Sequence, residues 1–238
     1  FMKTILAIET STSACSVALS YKGEVHQVFE ILPQKHAIRV LEMVDELLSQ
    51  HQVTEAEIDY LAFGEGPGAF TGIRIATGVV QGLALGWNKP VIAVSSLEAL
   101  AFSGLESEHL LTRDGPLEWI SLMDARMQEI YMQTGSYDST KQKWKANAPQ
   151  LLTEQAIKDS LNKSDTVVFG DVQSAYPDLV DEITNWHQGL PSAKAVAQLA
   201  LMKTTAAKTL QEQVPLPVYL RNNVAETIAE RKAKKALN

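Results

Sequence analysis

The sequence predicts an α/β fold in which a mixed sheet carries helices on its faces. Three observations point there. The first hundred residues read as three strands followed by strand–helix alternation, β-β-β-α-β-α-β-α. A glycine-rich junction, "FGEGPGAFTGIRIATG" from Phe63 to Gly78, joins an apolar run to a helical one. With 238 residues, 45% of them hydrophobic, the chain can bury a sizeable core in one large or two small domains.

The elements follow in order. "KTILAIETS" is short and nearly continuously apolar, as a buried strand would be. "CSVALSYKGEVHQVFEIL" gives two strands joined at Lys22-Gly23, where glycine supplies the positive φ of a tight turn. After Pro33, "HAIRVLEMVDELLSQ" is a helix. Ala37, Val40, Leu41, Val44, Leu47 and Leu48 keep the helical period, while Ile38 and Met43 widen the apolar stripe beyond one face. Such a helix is expected to be covered on more than one side, and another chain is a candidate for the second cover.

"IDYLAFGEG" is the next strand, and the helix after the glycine loop runs from about Phe70 to Leu85. It carries Gly78 and Gly82, with Gly86 just past its end. Each interior glycine costs about 1 kcal/mol against alanine. Glycines four apart form a groove that admits another element closely, either the chain's own sheet or a partner helix. "KPVIAVSSLEALA" is strand then helix, with Ser95 or Ser96 as N-cap. The polar stretch "GLESEHLLTRDGP" marks a boundary between domains 1–104 and 105–238.

Beyond it, "LEWISLMDARMQEIYMQTGSY" is a strand pair turning near Ala125-Arg126, "TVVFGDV" is a strand, and "SAKAVAQLALMKTTAAK" is an alanine-rich helix. The prolines of "VPLPVYLRNNVA" exclude helix at the end of the fold. The second half reads as poorer in sheet than the first.

Charge and motif content narrow the chemistry. The net charge of -7 argues against a general nucleic-acid binder, since phosphate neutralisation needs clustered Lys and Arg. The one basic run, Arg231 to Lys235, reads as a solvated tail. The single cysteine, Cys15, lies in an apolar context and reads as a core residue. No secretory signal and no run of eighteen or so apolar residues stands out, so a cytoplasmic protein off the membrane is expected. No two of His26, His36, His51, His109 and His187 have metal-ligand spacing, so no metal site is expected. His36 reads as a surface or interface residue. There is no GxSxG elbow.

The loop "GEGPGAFTGIR" is neither a Walker A nor a GxGxxG, because Gly66, Gly68 and Gly72 have the wrong spacing. A helix N-terminus with Thr71 and Arg74 beside it could still hold an anion. A purely structural turn is the favoured reading, since Pro67 removes one donor and short glycine motifs recur without a ligand. The first hairpin is a second candidate. Proteins of the actin/Hsp70/sugar-kinase type open with a strand, an acidic residue, a phosphate-wrapping turn and a second strand. Here Glu9 holds the acidic position and Thr10, Ser11, Thr12 and Ser13 form the turn. That turn has no glycine, and Glu9 is longer than aspartate would be, so the nucleotide site reads as degenerate.

"ILAIETSTSACSVAL", "FGEGPGAFTGIRIATGVVQGLALG", "MDARMQEIYM" and "PVYLRNN" together resemble the TsaB (YeaZ) family, in order along almost the whole chain. The resemblance implies a two-domain fold of the actin/Hsp70 (ASKHA, ribonuclease H-like) type, and no catalytic activity of its own. It implies support for threonylcarbamoylation of the adenosine beside the anticodon in ANN-decoding tRNAs. The implied partners are a TsaD-like transferase subunit, a TsaE-like ATPase and, without TsaD, a second copy. Contact with tRNA would run mainly through the complex. No tightly bound cofactor is implied, and a nucleotide would sit only at the partner interface.

Pairing through the first two helices would place Val40, Met43, Val44, Leu47, Ile73, Thr77, Gly78, Gln81 and Gly82 near the partner. Asp124 and Arg126 match the family's "DAR" block and would lie near the interdomain cleft. Tyr219 and Arg221 match its C-terminal block; for both pairs a hydrogen-bonded anchor between segments stands beside ligand contact, and the last segment could pack back on the first domain. The alternatives are a nucleotide-dependent ATPase or phosphotransferase of the actin/Hsp70 class, and the glycoprotease or resuscitation-promoting labels the family has carried.

Overall fold

The computed structural model describes residues 2–161 and 166–221. The basic run at Arg231 to Lys235 lies outside them. Two mixed sheets are stacked with helices between and around them. The first sheet comprises β1 (Ile5–Glu9), β2 (Ala14–Tyr21), β3 (Glu24–Ile31), β4 (Tyr60–Gly66) and β5 (Val91–Ser95), in the order β3-β2-β1-β4-β5. The β1–β2–β3 meander is antiparallel, and β4 and β5 are added parallel to β1. Lys22 and Gly23 both have positive φ, which fits the right-handed twist of the β2–β3 hairpin.

Successive side chains of β1 point to opposite faces, so each face buries its own set. Leu6 and Ile8 pack under α1 (His36–His51) and α2 (Phe70–Trp87). Ile5 and Ala7 pack under α6 (Ala193–Met202), so the chain's later part returns to the first sheet. The helix α3 (Ser96–Ser107) lies between the sheets. Its Ala99 and Phe102 join the first sheet's core, while Leu97, Leu100 and Leu105 meet Trp119 and Phe169 of the second.

The second sheet runs β11 (Trp186–Gln188), β10 (Val167–Gly170), β6 (Pro116–Asp124), β7 (Glu129–Asp138) and β8 (Lys143–Ala146), and β9 (Gln150–Thr153) also pairs with β7. Its outer face is covered by α4 (Glu154–Ser160) and α5 (Pro177–Asp181), through Ile157, Leu179 and Val180.

Several readings change. The second half is as rich in sheet as the first. The missed strands are three or four residues long, too short for an alternation such as that of "KWKA" on β8 to stand out. The helix α2 continues to Trp87, so Gly86 is inside it, and Asn88 closes it in the left-handed conformation. Ser95 stands at the N-cap of α3 but does not cap it, because its hydroxyl donates to Gln133 Oε1. His36 is buried, with Nε2 3.1 Å from the Ala14 carbonyl oxygen.

Candidate functional site

The first hairpin turn and the glycine loop meet at the top of the first sheet. Glu9 ends β1 fully buried. Its Oε1 accepts a hydrogen bond from the Ser11 amide at 2.6 Å, and Oε2 accepts one from Ser96 Oγ at 2.8 Å. Burial pushes this carboxyl above its ordinary range, and the bonds from Ser11 and Ser96 offset part of that. Ser96 Oγ also accepts from the Gly66 amide at 3.2 Å. The carboxylate is thus bound into the interior rather than presented to a metal-bound water.

The glycine loop is filled by the hairpin turn. Thr10 Oγ1 donates to the Gly72 carbonyl at 2.8 Å, and the Ala69 amide donates to the Ser11 carbonyl at 2.7 Å. A Cβ on Gly72 would lie 2.0 Å from Thr10 O, and one on Gly68 2.5 Å from Ser11 O. These glycines therefore serve backbone–backbone approach. Arg74 does not turn to the loop. Its guanidinium lies 3.7 Å over the Phe70 ring, and Nε donates to Tyr219 Oη at 2.7 Å. Thr71 is exposed on the first turn of α2.

A cleft of about 1000 Å³ opens between the two sheets. Ser11–Ser13 and the first turn of α2 line one wall, and Met123–Met127, Asp171 and Ser174 the other. Asp124 and Arg126 both line it. Asp171 Oδ1 accepts from the Asp124 amide at 3.1 Å. Burial, and then the neighbouring Asp124 charge, push Asp171 up to about 6. Asp124 in turn accepts from the Arg126 amide at 2.8 Å and pairs with its guanidinium at 3.0 Å.

The β6–β7 turn holds Arg126, Met127 and Gln128 at φ of 62°, 54° and 63°. Three consecutive left-handed residues without glycine are strained, each by on the order of 1–3 kcal/mol. Along one edge of the cleft runs an extended strap, residues 214–221. Pro215, Val218, Tyr219 and Arg221 carry its polar contacts with both lobes. This is the anchoring role between segments that the sequence allowed for Tyr219 and Arg221, although extended chain without a partner strand has no periodic signature to show its course.

The expected partner face needs correction. Val40, Met43, Val44, Leu47 and Ile73 are buried within the chain itself. All but Ile73 pack in the core of the first sheet. Thr77 is buried and its hydroxyl donates to the Ile73 carbonyl. Gln81 is engaged by the strap, with Nε2 2.6 Å from Pro215 O. The apolar stripe of α1 is wide because it has two faces. The outward one leaves Ile38 73% and Leu41 52% exposed, with Leu85 on α2 at 76%. A Cβ added to Gly78, Gly82 or Gly86 would meet nothing within 4 Å, so these glycines form an open ridge.

Elsewhere His26 and His51 stack at 3.9 Å, and burial pushes the Cys15 thiol up to about 11. Among the described residues no three His, Cys, Asp or Glu side chains gather as a metal would need, and no helix is long and apolar enough to cross a membrane.

Comparisons with known proteins agree with this geometry. Residues 25–165 match the model of the family described as TsaD, tRNA N6-adenosine threonylcarbamoyltransferase. The chain is 35% identical over 227 residues to the tRNA threonylcarbamoyladenosine biosynthesis protein TsaB of Escherichia coli strain K12, covering 93% of this chain and 96% of that one. It is 34% identical to the Haemophilus influenzae protein of the same name, over 93% and 94% of the two chains. Among solved structures, YeaZ from Pseudomonas aeruginosa superposes with a TM-score of 0.77 at 34% identity, over 92% of this chain and all of that one. The two mixed sheets and these neighbours together give an α/β fold shared with the YeaZ structures.

Proposed function

The chain belongs to the TsaB family of tRNA threonylcarbamoyladenosine biosynthesis proteins, and from that membership we propose that it is a non-catalytic scaffold and activator of a TsaD-like transferase. Its place is in that tRNA-modification pathway, at the adenosine beside the anticodon of ANN-decoding tRNAs. The observation that carries the non-catalytic reading is the state of Glu9. The acidic residue at the head of the first hairpin is buried and held by Ser11 and Ser96. The loop that would wrap a phosphate is packed against its own hairpin turn instead.

Docking is assigned to the outward face of α1 and α2. Ile38, Leu41 and Leu85 offer exposed apolar surface beside a ridge whose glycines let a helix backbone come close. The same face supports self-association when the transferase is absent, and a TsaE-like ATPase would join the resulting pair. An acidic chain leaves most tRNA contact to the partner.

Light scattering of the purified chain mixed with a TsaD-like subunit tests this. A stoichiometric complex is expected, lost with Leu41→Glu plus Leu85→Glu. No complex, with or without nucleotide and a TsaE-like ATPase, sinks the proposal. Turnover of ATP in the presence of Mg²⁺ by the isolated chain, abolished by Glu9→Gln, would favour the phosphotransferase reading.

A further inference from the structure

The strap 214–221 contacts parts of the molecule that are far apart. The Pro215 carbonyl accepts from Gln81 Nε2 on α2. The Val218 amide donates to the Glu65 carbonyl at 2.7 Å, at the end of β4. Tyr219 Oη accepts from Arg74 Nε, and its ring lies 5.7 Å from that of Phe70. Arg221 then reaches the second sheet. Its Nε donates to Glu129 Oε2 at 3.0 Å and its Nη2 to the Arg126 carbonyl at 3.1 Å. The first anchors all belong to the first lobe, and the last one grips the strained β6–β7 turn.

A backbone in a sparsely populated conformation persists only where its surroundings over-determine it. Around this turn those surroundings are the Asp124 carboxylate, the turn's own bonds between Ala125, Arg126 and Glu129, the Tyr176 hydroxyl on the Glu129 carbonyl, and the Arg221 guanidinium.

We infer that residues 214–221 form a latch coupling the exposed side of α2 to the cleft. While Arg74 and Gln81 hold the strap, Arg221 holds the turn and the turn's wall of the cleft. Loosening the α2 end frees the turn. Phe70, Arg74 and Gln81 fall on one stripe of α2, next to the stripe of Gly78, Gly82 and Leu85, so an object seated on the glycine ridge abuts the strap. The α2 anchors are few, and the Arg74–Tyr219 bond is exposed. Contacts of that kind open locally before the fold does.

The test uses the full chain with Arg74→Ala, Arg221→Ala and Tyr219→Phe. Amide hydrogen exchange reads the turn, and spin labels on Ala37→Cys and Ser174→Cys, which both line the cleft and belong to different lobes, read its width. The one native cysteine is buried and escapes labelling. Arg221→Ala should speed exchange at the Ala125 and Glu129 amides about tenfold, as expected for losing hydrogen bonds to a charged group. Arg74→Ala should do the same although its contacts are with Phe70 and Tyr219. Both should broaden the label distance, with β1 amides unchanged and Tyr219→Phe in between. An unchanged turn and cleft in Arg74→Ala, or a uniform rise in exchange over the whole chain, overturns the latch.

Discussion

Glu9 on β1 and Ser96 at the start of α3 are joined by a 2.8 Å hydrogen bond through the buried interior. That contact ties the first hairpin to the helix lying between the two sheets. It also removes the one carboxylate that the hairpin could have offered to chemistry. The family likeness to a transferase and the absence of an open acidic group in the hairpin are thus compatible.

Glu9→Gln should therefore leave stability at pH 7 equal to or above that of the natural chain. Gln keeps an acceptor for the Ser11 amide, its amide can donate to Ser96 Oγ, and a desolvated charge is gone. Denaturant unfolding at pH 7 checks this. Partner association should be unaffected. A loss of several kcal/mol would mean that the charge itself holds the hairpin.

The outward glycine ridge gives opposite signs for folding and docking. Gly82→Ala should raise the chain's stability by about 0.5–1 kcal/mol, because alanine suits an exposed helix interior. Gly82→Leu should fold as well and yet lose association, since its side chain occupies the approach path. Thermal melts and light scattering on the same samples separate the two effects. Association that survives Gly82→Leu would move docking off this ridge. By contrast, Met43→Glu tests only folding, as Met43 lies wholly inside the core.

Gly72→Ala should destabilise the chain by more than about 2 kcal/mol, because the new Cβ has a backbone oxygen in its way and no flexible side chain to displace. Gly78→Ala, six residues on, should not. Equal effects at the two positions would contradict the packing of the glycine loop on Thr10.

How much of this was legible depends on where the signal is local. The β1–β3 meander, α1 and the β6–β7 pair announce themselves through period and turn residues, since each repeats within a few positions. The glycine loop was legible as a turn, but not what fills it, because Thr10 and Gly72 are distant in sequence. The breadth of the α1 stripe reflects two apolar faces, of which the chain covers one and leaves Ile38 and Leu41 exposed on the other. Assigning Val40, Met43, Val44 and Leu47 to the partner failed because periodicity alone cannot say which face meets the chain's own sheet. The strap was legible only as an anchoring role for Tyr219 and Arg221, without its partners. Its contacts, such as Arg221 with Glu129, span the two lobes and leave no mark in either segment alone.

Asp171 sets a pH dependence whose sign follows from its surroundings. Its carboxyl titrates near 6 in the folded chain against an ordinary 3.8, raised by burial and by Asp124. The folded state therefore holds this proton more tightly than the unfolded state does. Below 3.8 both states are protonated and the group imposes no penalty. As the pH rises from 3.8 through 6, the unfolded chain gives up the proton first and stability falls. The full penalty, on the order of 2–3 kcal/mol, stands above 6. Asp171→Asn keeps an acceptor for the Asp124 amide and removes the titration. Urea unfolding from pH 4 to 8 should show the variant gaining on the natural chain across that window, with a constant gap beyond it. Parallel curves would mean that the Asp171 carboxylate is already solvated by the cleft.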